Sequence, residues 1–217
     1  MTGVFPPGLH VREEKVAGVG PWLWVKEDKF GWEQPAEEFA GLRELILSQT
    51  RQRREIIQAG GGSGMYPRLW SADFETVYTF EPEPRNFYCL VANCPSERII
   101  KLQAALSDRS GFCTIDRIDG DGNIGTARIS VRGQGDTVPT FRLDDFNFPV
   151  VDVLQLDCEG HEEWVVSGAQ VLIERNQPVI ALESPTKRIA EWLTDLGYEE
   201  VGRTGGNPDI VYAPKKT

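Results

Sequence analysis

The stretch Ile56-Ile57-Gln58-Ala59-Gly60-Gly61-Gly62-Ser63-Gly64 decides the fold. A short apolar run enters a cluster of glycines, and a helical pattern follows near Pro67 to Ser71. Glycines let the backbone turn tightly and approach another group without a Cβ clash. The helix that follows then aims its free N–H groups at something electron-rich. A glycine-rich turn alone signals little, so the flanks carry the argument. Downstream, Thr76 to Phe80, Ile99 to Leu102, Val150 to Leu156 and Pro178 to Leu182 are apolar runs bounded by turn residues, and Val201 and Ile210 to Tyr212 mark two shorter ones. Helical patterns lie between them at Asn86 to Asn93, Glu162 to Arg175 and Pro185 to Leu196. Strands that alternate with helices predict an α/β chain: a Rossmann-like, doubly wound, mostly parallel seven-stranded sheet with helices on both faces.

Upstream of this alternation, residues 1–54 read as an N-terminal extension or cap, and 55–217 as the main domain. Glu37 to Arg54 places Phe39, Leu42, Leu45 and Ile46 on one helical face. Trp22, Trp24, Phe30 and Trp32 are irregularly spaced, as in a small cap packed on the sheet; a wall for an acceptor molecule is the sharper alternative. Gly111 to Phe148 breaks the rhythm. Phe112 to Ile115, Ala127 to Val131 and Thr140 to Leu143 read as short strands or an added hairpin, and Asp119 to Asn123 as a turn or mobile loop.

Composition narrows the function. The 217 residues suit one domain with a full core. A formal net charge of -10 repels polyanions, so no nucleic-acid partner is expected. The basic run Arg51-Gln52-Arg53-Arg54 reads first as a solvated helix end, with a phosphate-binding patch as the alternative. Met1 to His10 holds two prolines and no apolar segment, so no secretory leader is expected. No apolar run approaches the roughly 20 residues that span a bilayer. The four cysteines show neither CxxC spacing nor a disulfide framework, which fits free thiols and a cytoplasmic protein. The sequence leaves the oligomeric state open, a homo-oligomer included.

The glycines follow a strand at the start of the α/β alternation, where such sheets bind ligands. The next strand ends in Phe80-Glu81-Pro82, and an acid there is placed to accept hydrogen bonds from two ribose hydroxyls. The ligand is then a dinucleotide or S-adenosylmethionine. Dinucleotide folds use G-x-G-x-x-G, or Ala at the last position. Here Met65 stands where that last small residue belongs, and the spacing is Gly60-x-Gly62-x-Gly64, which suits a cofactor with no pyrophosphate.

The fourth strand reads Val151-Asp152-Val153-Leu154-Gln155-Leu156-Asp157-Cys158-Glu159-Gly160-His161-Glu162, followed by Trp164-Val165-Val166 and Ser167-Gly168-Ala169. Here the chain resembles the FkbM family of methyltransferases, which carries a strand ending in D-x-E-G-x-E before a helix with an apolar pair and Gly-Ala. Other parts agree in order: the glycine loop, Phe80-Glu81-Pro82 with Pro84 and Asn86, Ala104-Ala105-Leu106-Ser107-Asp108, Leu143-Asp144-Asp145-Phe146, and Pro178 to Glu183. The resemblance covers about Ile56 to Tyr198. It implies a class I methyltransferase fold, S-adenosylmethionine as cofactor, and methyl transfer commonly to oxygen on a sugar, glycan, lipid or small metabolite. One departure stands out: Gln58 replaces the acid that the family usually carries just before its glycines.

The cofactor is expected against Gln58, Gly60, Gly61, Gly62, Gly64, Glu81, Pro82, Ala105 and Asp157. Asp157, Glu159 and Glu183 are expected to cluster at the carboxyl ends of their strands, attracting a cationic donor and holding the acceptor. Glu159 reads equally as a helix cap. His161 is a candidate general base because its pKa lies near neutrality, with a surface helix position as the alternative. Oxygen ligands would suit Mg²⁺ or Ca²⁺, but no spacing demands a metal and none is expected. Two other functions share the sheet: a nicotinamide-dependent oxidoreductase, weakened by Met65 and the lack of a Tyr-x-x-x-Lys pair, and a non-catalytic binding module, favoured by Gln58.

Overall fold

The structure is a computed structural model that describes residues 6–13, 15, 18–28, 33–116, 125, 127–130, 133, 135–204 and 209–215, without the side chains of 33–38. The chain opens with an antiparallel hairpin, β1 (Leu9–Arg12) and β2 (Trp22–Val25), and continues into α1 (Glu33–Gln49). Then come β3 (Glu55–Ala59), α2 (Met65–Trp70), β4 (Thr76–Phe80), α3 (Pro84–Asn93) and β5 (Ile99–Leu102). The middle supplies β6 (Ala105–Leu106), β7 (Gly111–Asp116), β8 (Arg128–Ile129) and β9 (Asp136–Phe141). The last part gives β10 (Val153–Leu156), α4 (Glu162–Ser167), α5 (Gln170–Asn176), β11 (Val179–Glu183), α6 (Lys187–Asp195), β12 (Tyr198–Arg203) and β13 (Asp209–Pro214).

Seven strands form the main sheet in the order β12-β13-β11-β10-β3-β4-β5. β13 runs antiparallel to both neighbours; the pairs among β11, β10, β3, β4 and β5 are parallel. The chain enters at β3, builds outward to β5, then returns to the other side of β3 with β10. That reversal opens a crevice at the carboxyl ends of β3 and β10, where open α/β sheets bind ligands. The central strands are buried on both faces, so they read as continuous apolar runs. Ile57, Leu154 and Leu156 pack with Val165, Ile173, Ile189 and Leu193 of α4 to α6. Ile56 and Val153 face the other way and pack with Leu42, Ile46, Met65 and Trp70 of α1 and α2.

β6, β9, β7 and β8 form a second, four-stranded sheet in that order, and it accounts for the irregular interval. Of the expected segments there, Asp119 to Asn123 lies outside the described residues. The N-terminal hairpin docks on α3, where the Asn93 side chain accepts from the Leu23 N–H (2.7 Å) and donates to the Leu23 carbonyl (2.8 Å). Trp22 and Trp24 are buried with the α1 and α2 core. Phe30 and Trp32 lie outside the described residues.

The single helix expected over Glu162 to Arg175 is two. A Cβ on Gly168 would sit 2.1 Å from the Ser107 carbonyl oxygen, so the chain passes the end of β6 at a distance only glycine allows. The helix restarts beyond Ala169, and Asp144 caps it: its carboxylate accepts from the N–H groups of Val171 (3.2 Å) and Leu172 (2.9 Å). Asp144→Ala removes that cap and is expected to cost about 1 kcal/mol. Thermal unfolding should show a midpoint lower by about 2–4 °C for a domain of this size.

Candidate active site

Gly60 leaves β3 with φ +84, and its N–H and that of Gly61 both donate to the Phe80 carbonyl (3.1 and 3.0 Å). A Cβ on Gly60 would lie 1.8 Å from the Asp157 carbonyl oxygen. The turn after β3 and the end of β10 therefore touch backbone to backbone, which no larger residue permits. Glu81 follows β4 and is 4% exposed. Its carboxylate accepts from the N–H of Gly62 (2.6 Å) and the N–H of Glu83 (2.8 Å). Burial still outweighs these two bonds and pushes the carboxyl up to about 7. Gly64 sits at φ +95 before α2, and Met65 is buried among Leu69, Trp70 and their neighbours.

A crevice runs along the carboxyl ends of β3, β4 and β10. Gly60, Glu81, Pro82 and Ala105 line it together with Asp157, Glu159 and His161. The small sheet covers it with Ile115, Ala127 and Ile129. Gly61, Gly62 and Gly64 support the turn without lining the crevice, as the Gly62 bond to Glu81 illustrates.

Gln58 also lies off the crevice. It is fully buried on the α1 and α2 face. Its amide oxygen accepts from the Thr79 hydroxyl (2.5 Å), and its amide nitrogen donates to the carbonyls of Gly60 (2.8 Å) and Ala59 (3.2 Å). The side chain is a strut under the turn, with both ends of its amide engaged.

The acids converge as their strand ends require. One oxygen from each of Asp157, Glu159 and Glu183 lies within 4.8 Å of the others. Burial, then the charges of Glu183, Asp209 and Glu159, hold the Asp157 carboxyl well above the usual range. Asp209 pairs with Glu183 in register across β13 and β11, a neighbour that sequence reasoning missed because β13 reverses direction. Arg128 of β8 also escaped it. That residue reaches Glu159 at 3.6 Å and opposes the burial and Glu183 charge that raise the Glu159 pKa.

Backbone strain marks the same place. Glu159 (φ 55) and Ser184 (φ 44) both adopt the left-handed region just past β10 and β11. Non-glycine residues there cost free energy and cluster at working sites. The third acid of the D-x-E-G-x-E run has another job: Glu162 accepts from the N–H groups of Cys158 (2.7 Å) and Gly160 (3.3 Å), clamping the loop. His161 stacks on Trp164 at 4.7 Å between ring centroids, with its Nε2 3.0 Å from the Ser107 hydroxyl. Burial lowers its pKa, with Asp108 opposing, so the ring is neutral near pH 7 and has a nitrogen able to accept a proton.

The strand order, the glycine turn against β10 and the acid closing β4 define an α/β domain of the class I methyltransferase type. The sequence matches the FkbM methyltransferase domain over residues 68–200. The chain belongs to that family of S-adenosylmethionine-dependent methyltransferases, which sets aside the nicotinamide alternative. Among solved structures, methyltransferase FkbM from Methylobacillus flagellatus KT is 14% identical at a TM-score of 0.55; the match covers 74% of this chain and 43% of that one. The chain thus spans less than half the length of that relative. The N-methyltransferase NodS from Bradyrhizobium japonicum WM9 is 10% identical at a TM-score of 0.51, with 85% and 100% covered. At these identities the likeness is one of fold. No curated protein sequence matches the chain. Among the described residues, no helix is long and apolar enough to cross a membrane.

Proposed function

We propose that this chain transfers a methyl group from S-adenosylmethionine to a hydroxyl oxygen of a small acceptor: a sugar or glycan, a lipid or a small metabolite. One observation carries the reading: Glu81, Gly60, Asp157 and Glu159 line a single crevice, and an oxygen of Glu183 lies within 4.8 Å of one from each of Asp157 and Glu159. The cofactor supplies an electrophilic methyl on a positively charged sulfur.

The residues divide the remaining work. Glu81 accepts from the ribose hydroxyls. Pro82 and Ala105 give an apolar wall. The acids favour a cationic ligand electrostatically. Asp157 in its ionised form, which burial and the neighbouring acids make more basic, takes the hydroxyl proton, with Glu183 beside it and His161 as the neighbouring neutral base. The crevice measures about 60 Å³ with Ile115 and Ile129 leaning into it, less than the roughly 300 Å³ of a small-ligand pocket.

A binding module without turnover is the second reading, favoured by Gln58: a neutral amide already committed to Thr79 and Gly60. Two measurements test these readings in order. S-adenosylmethionine and its demethylated product should each raise the thermal midpoint, while NAD should not. Labelled methyl should then pass into an acceptor in a cell extract. No midpoint shift with either compound removes both readings; a shift without any labelled acceptor leaves the module.

A further inference from the structure

At the opposite end of the main sheet's strands, beneath the amino ends of β3, β10 and β11, lies a second cavity of about 410 Å³. Val151, Val179 and Ala213 contribute apolar lining, and Gln52 and Gln177 carboxamides. Arg51, Arg54 and Lys215 line it as well, in a chain whose net charge is -10. The sequence favours a helix end over a phosphate patch for the basic run, but the helix ends here are otherwise served. The Ile46 carbonyl of α1 accepts from the Thr50 N–H (3.0 Å) and the Thr50 hydroxyl (2.7 Å). In α5 the Leu172 carbonyl accepts from Asn176 Nδ2 (3.0 Å), and the Ile173 carbonyl from the Gln177 N–H (2.8 Å). Arg54 is committed to Asp152 through Nε (3.1 Å), Nη2 (2.5 Å) and its own N–H (2.7 Å). Arg51 and Lys215 are exposed and have no ion-pair partner among the described residues.

We propose that this cavity is a binding site for a small phosphate monoester. Arg51 and Lys215 meet the phosphate: the guanidinium offers a planar fork and the ammonium a compact charge. Gln52 and Gln177 offer donors and acceptors to hydroxyl groups on the ester. A volume of 410 Å³ falls within the roughly 300–1,000 Å³ that small-molecule sites occupy, so the cavity takes a sugar phosphate rather than the inorganic ion alone. Asp152 does not repel this ligand, because Arg54 neutralises it. The site lies at the strand ends opposite the crevice and stands or falls apart from the proposed methyl transfer.

The test uses the full chain at low ionic strength, with calorimetric titration of glucose 6-phosphate, glucose, and sodium chloride matched in ionic strength. Glucose 6-phosphate is expected to bind, and the two controls to give no heat of binding. In the double variant Arg51→Gln/Lys215→Gln the affinity is expected to fall at least about tenfold, because both charge-assisted contacts go. Arg53→Gln removes an equally exposed charge of the same run that does not line the cavity, and is expected to bind as the parent does. An unchanged unfolding midpoint shows that the double variant is folded. The proposal is overturned by no binding to the parent chain, by equal affinity in the double variant, or by an equal loss in Arg53→Gln, which would mark a general charge effect.

Discussion

Glu81→Ala is expected to weaken S-adenosylmethionine binding by about ten- to a hundredfold, since a hydrogen bond to a charged group contributes roughly 1.5–3 kcal/mol. The loss has two sources. The ribose hydroxyls lose their acceptor, and the N–H groups of Gly62 and Glu83 lose the carboxylate that aligns them. Glu81→Gln separates the two poorly but informatively. Its amide keeps one acceptor oxygen and turns an NH₂ toward one of those N–H donors, so it too should bind weakly. The pH dependence gives an independent check. Burial raises the folded-state pKa of Glu81 to about 7 from an ordinary 4.5. Below about 4.5 the group is protonated in both folded and unfolded chains, and its contribution to stability is complete. As pH rises toward 7 the unfolded chain releases the proton first, and stability falls by roughly 3 kcal/mol across that window. Hydroxyl donors favour the carboxylate, so binding below pH 7 should release a proton and tighten as pH rises. Calorimetry in buffers of different ionisation heat measures that proton directly. A Glu81→Ala chain that binds the cofactor as the parent does ends the ribose assignment.

The sheet was legible for a simple physical reason. Parallel strands buried on both faces must be continuous apolar runs, and Ile56-Ile57 and Val153-Leu154 are visible as such. The glycine turn was legible because close backbone approach admits one residue type. The small sheet was half legible: Gly111–Asp116 and Asp136–Phe141 are strands, but their role in covering the crevice depends on where the sheet docks, which no local pattern encodes. The N-terminal strands Leu9–Arg12 and Trp22–Val25 were missed because irregular aromatics mask a four-residue alternation. Gln58 is the instructive position. Its place before the glycines pointed to the ligand although a Gln replaces the family's acid, whereas the direction of its side chain is set by strand parity. It alternates to the same face as Ile56 and falls among core groups, beside Thr79. Asp209 and Arg128 were invisible for the converse reason. Each reaches the acids from an element whose placement is long-range: an antiparallel return strand and a two-residue strand of the cover.

Asp157→Asn carries the other large effect. General-base assistance contributes about 10²–10⁴ in rate, so turnover on an acceptor should fall by that order while cofactor affinity changes little. Stability should move the other way. In the parent chain, Asp157 is buried beside Glu183, Asp209 and Glu159, and burial with those charges raises its folded-state pKa well above the ordinary carboxylate value. The unfolded chain gives that proton up at ordinary acidity, so the group lowers stability as pH rises above the usual carboxylate range. A neutral carboxamide removes this penalty and can still hydrogen-bond Glu183. The variant is therefore expected to unfold at the same temperature as the parent or a higher one at pH 7, with the difference vanishing in acid. Such a trade of activity for stability is the signature of a group kept in an unfavourable place for its chemistry. It also separates a reacting carboxylate from a structural one, whose loss would lower both quantities. Full turnover in Asp157→Asn, or a marked drop in its midpoint, would show that the proton goes elsewhere, and the neutral ring of His161 would then be the base to test.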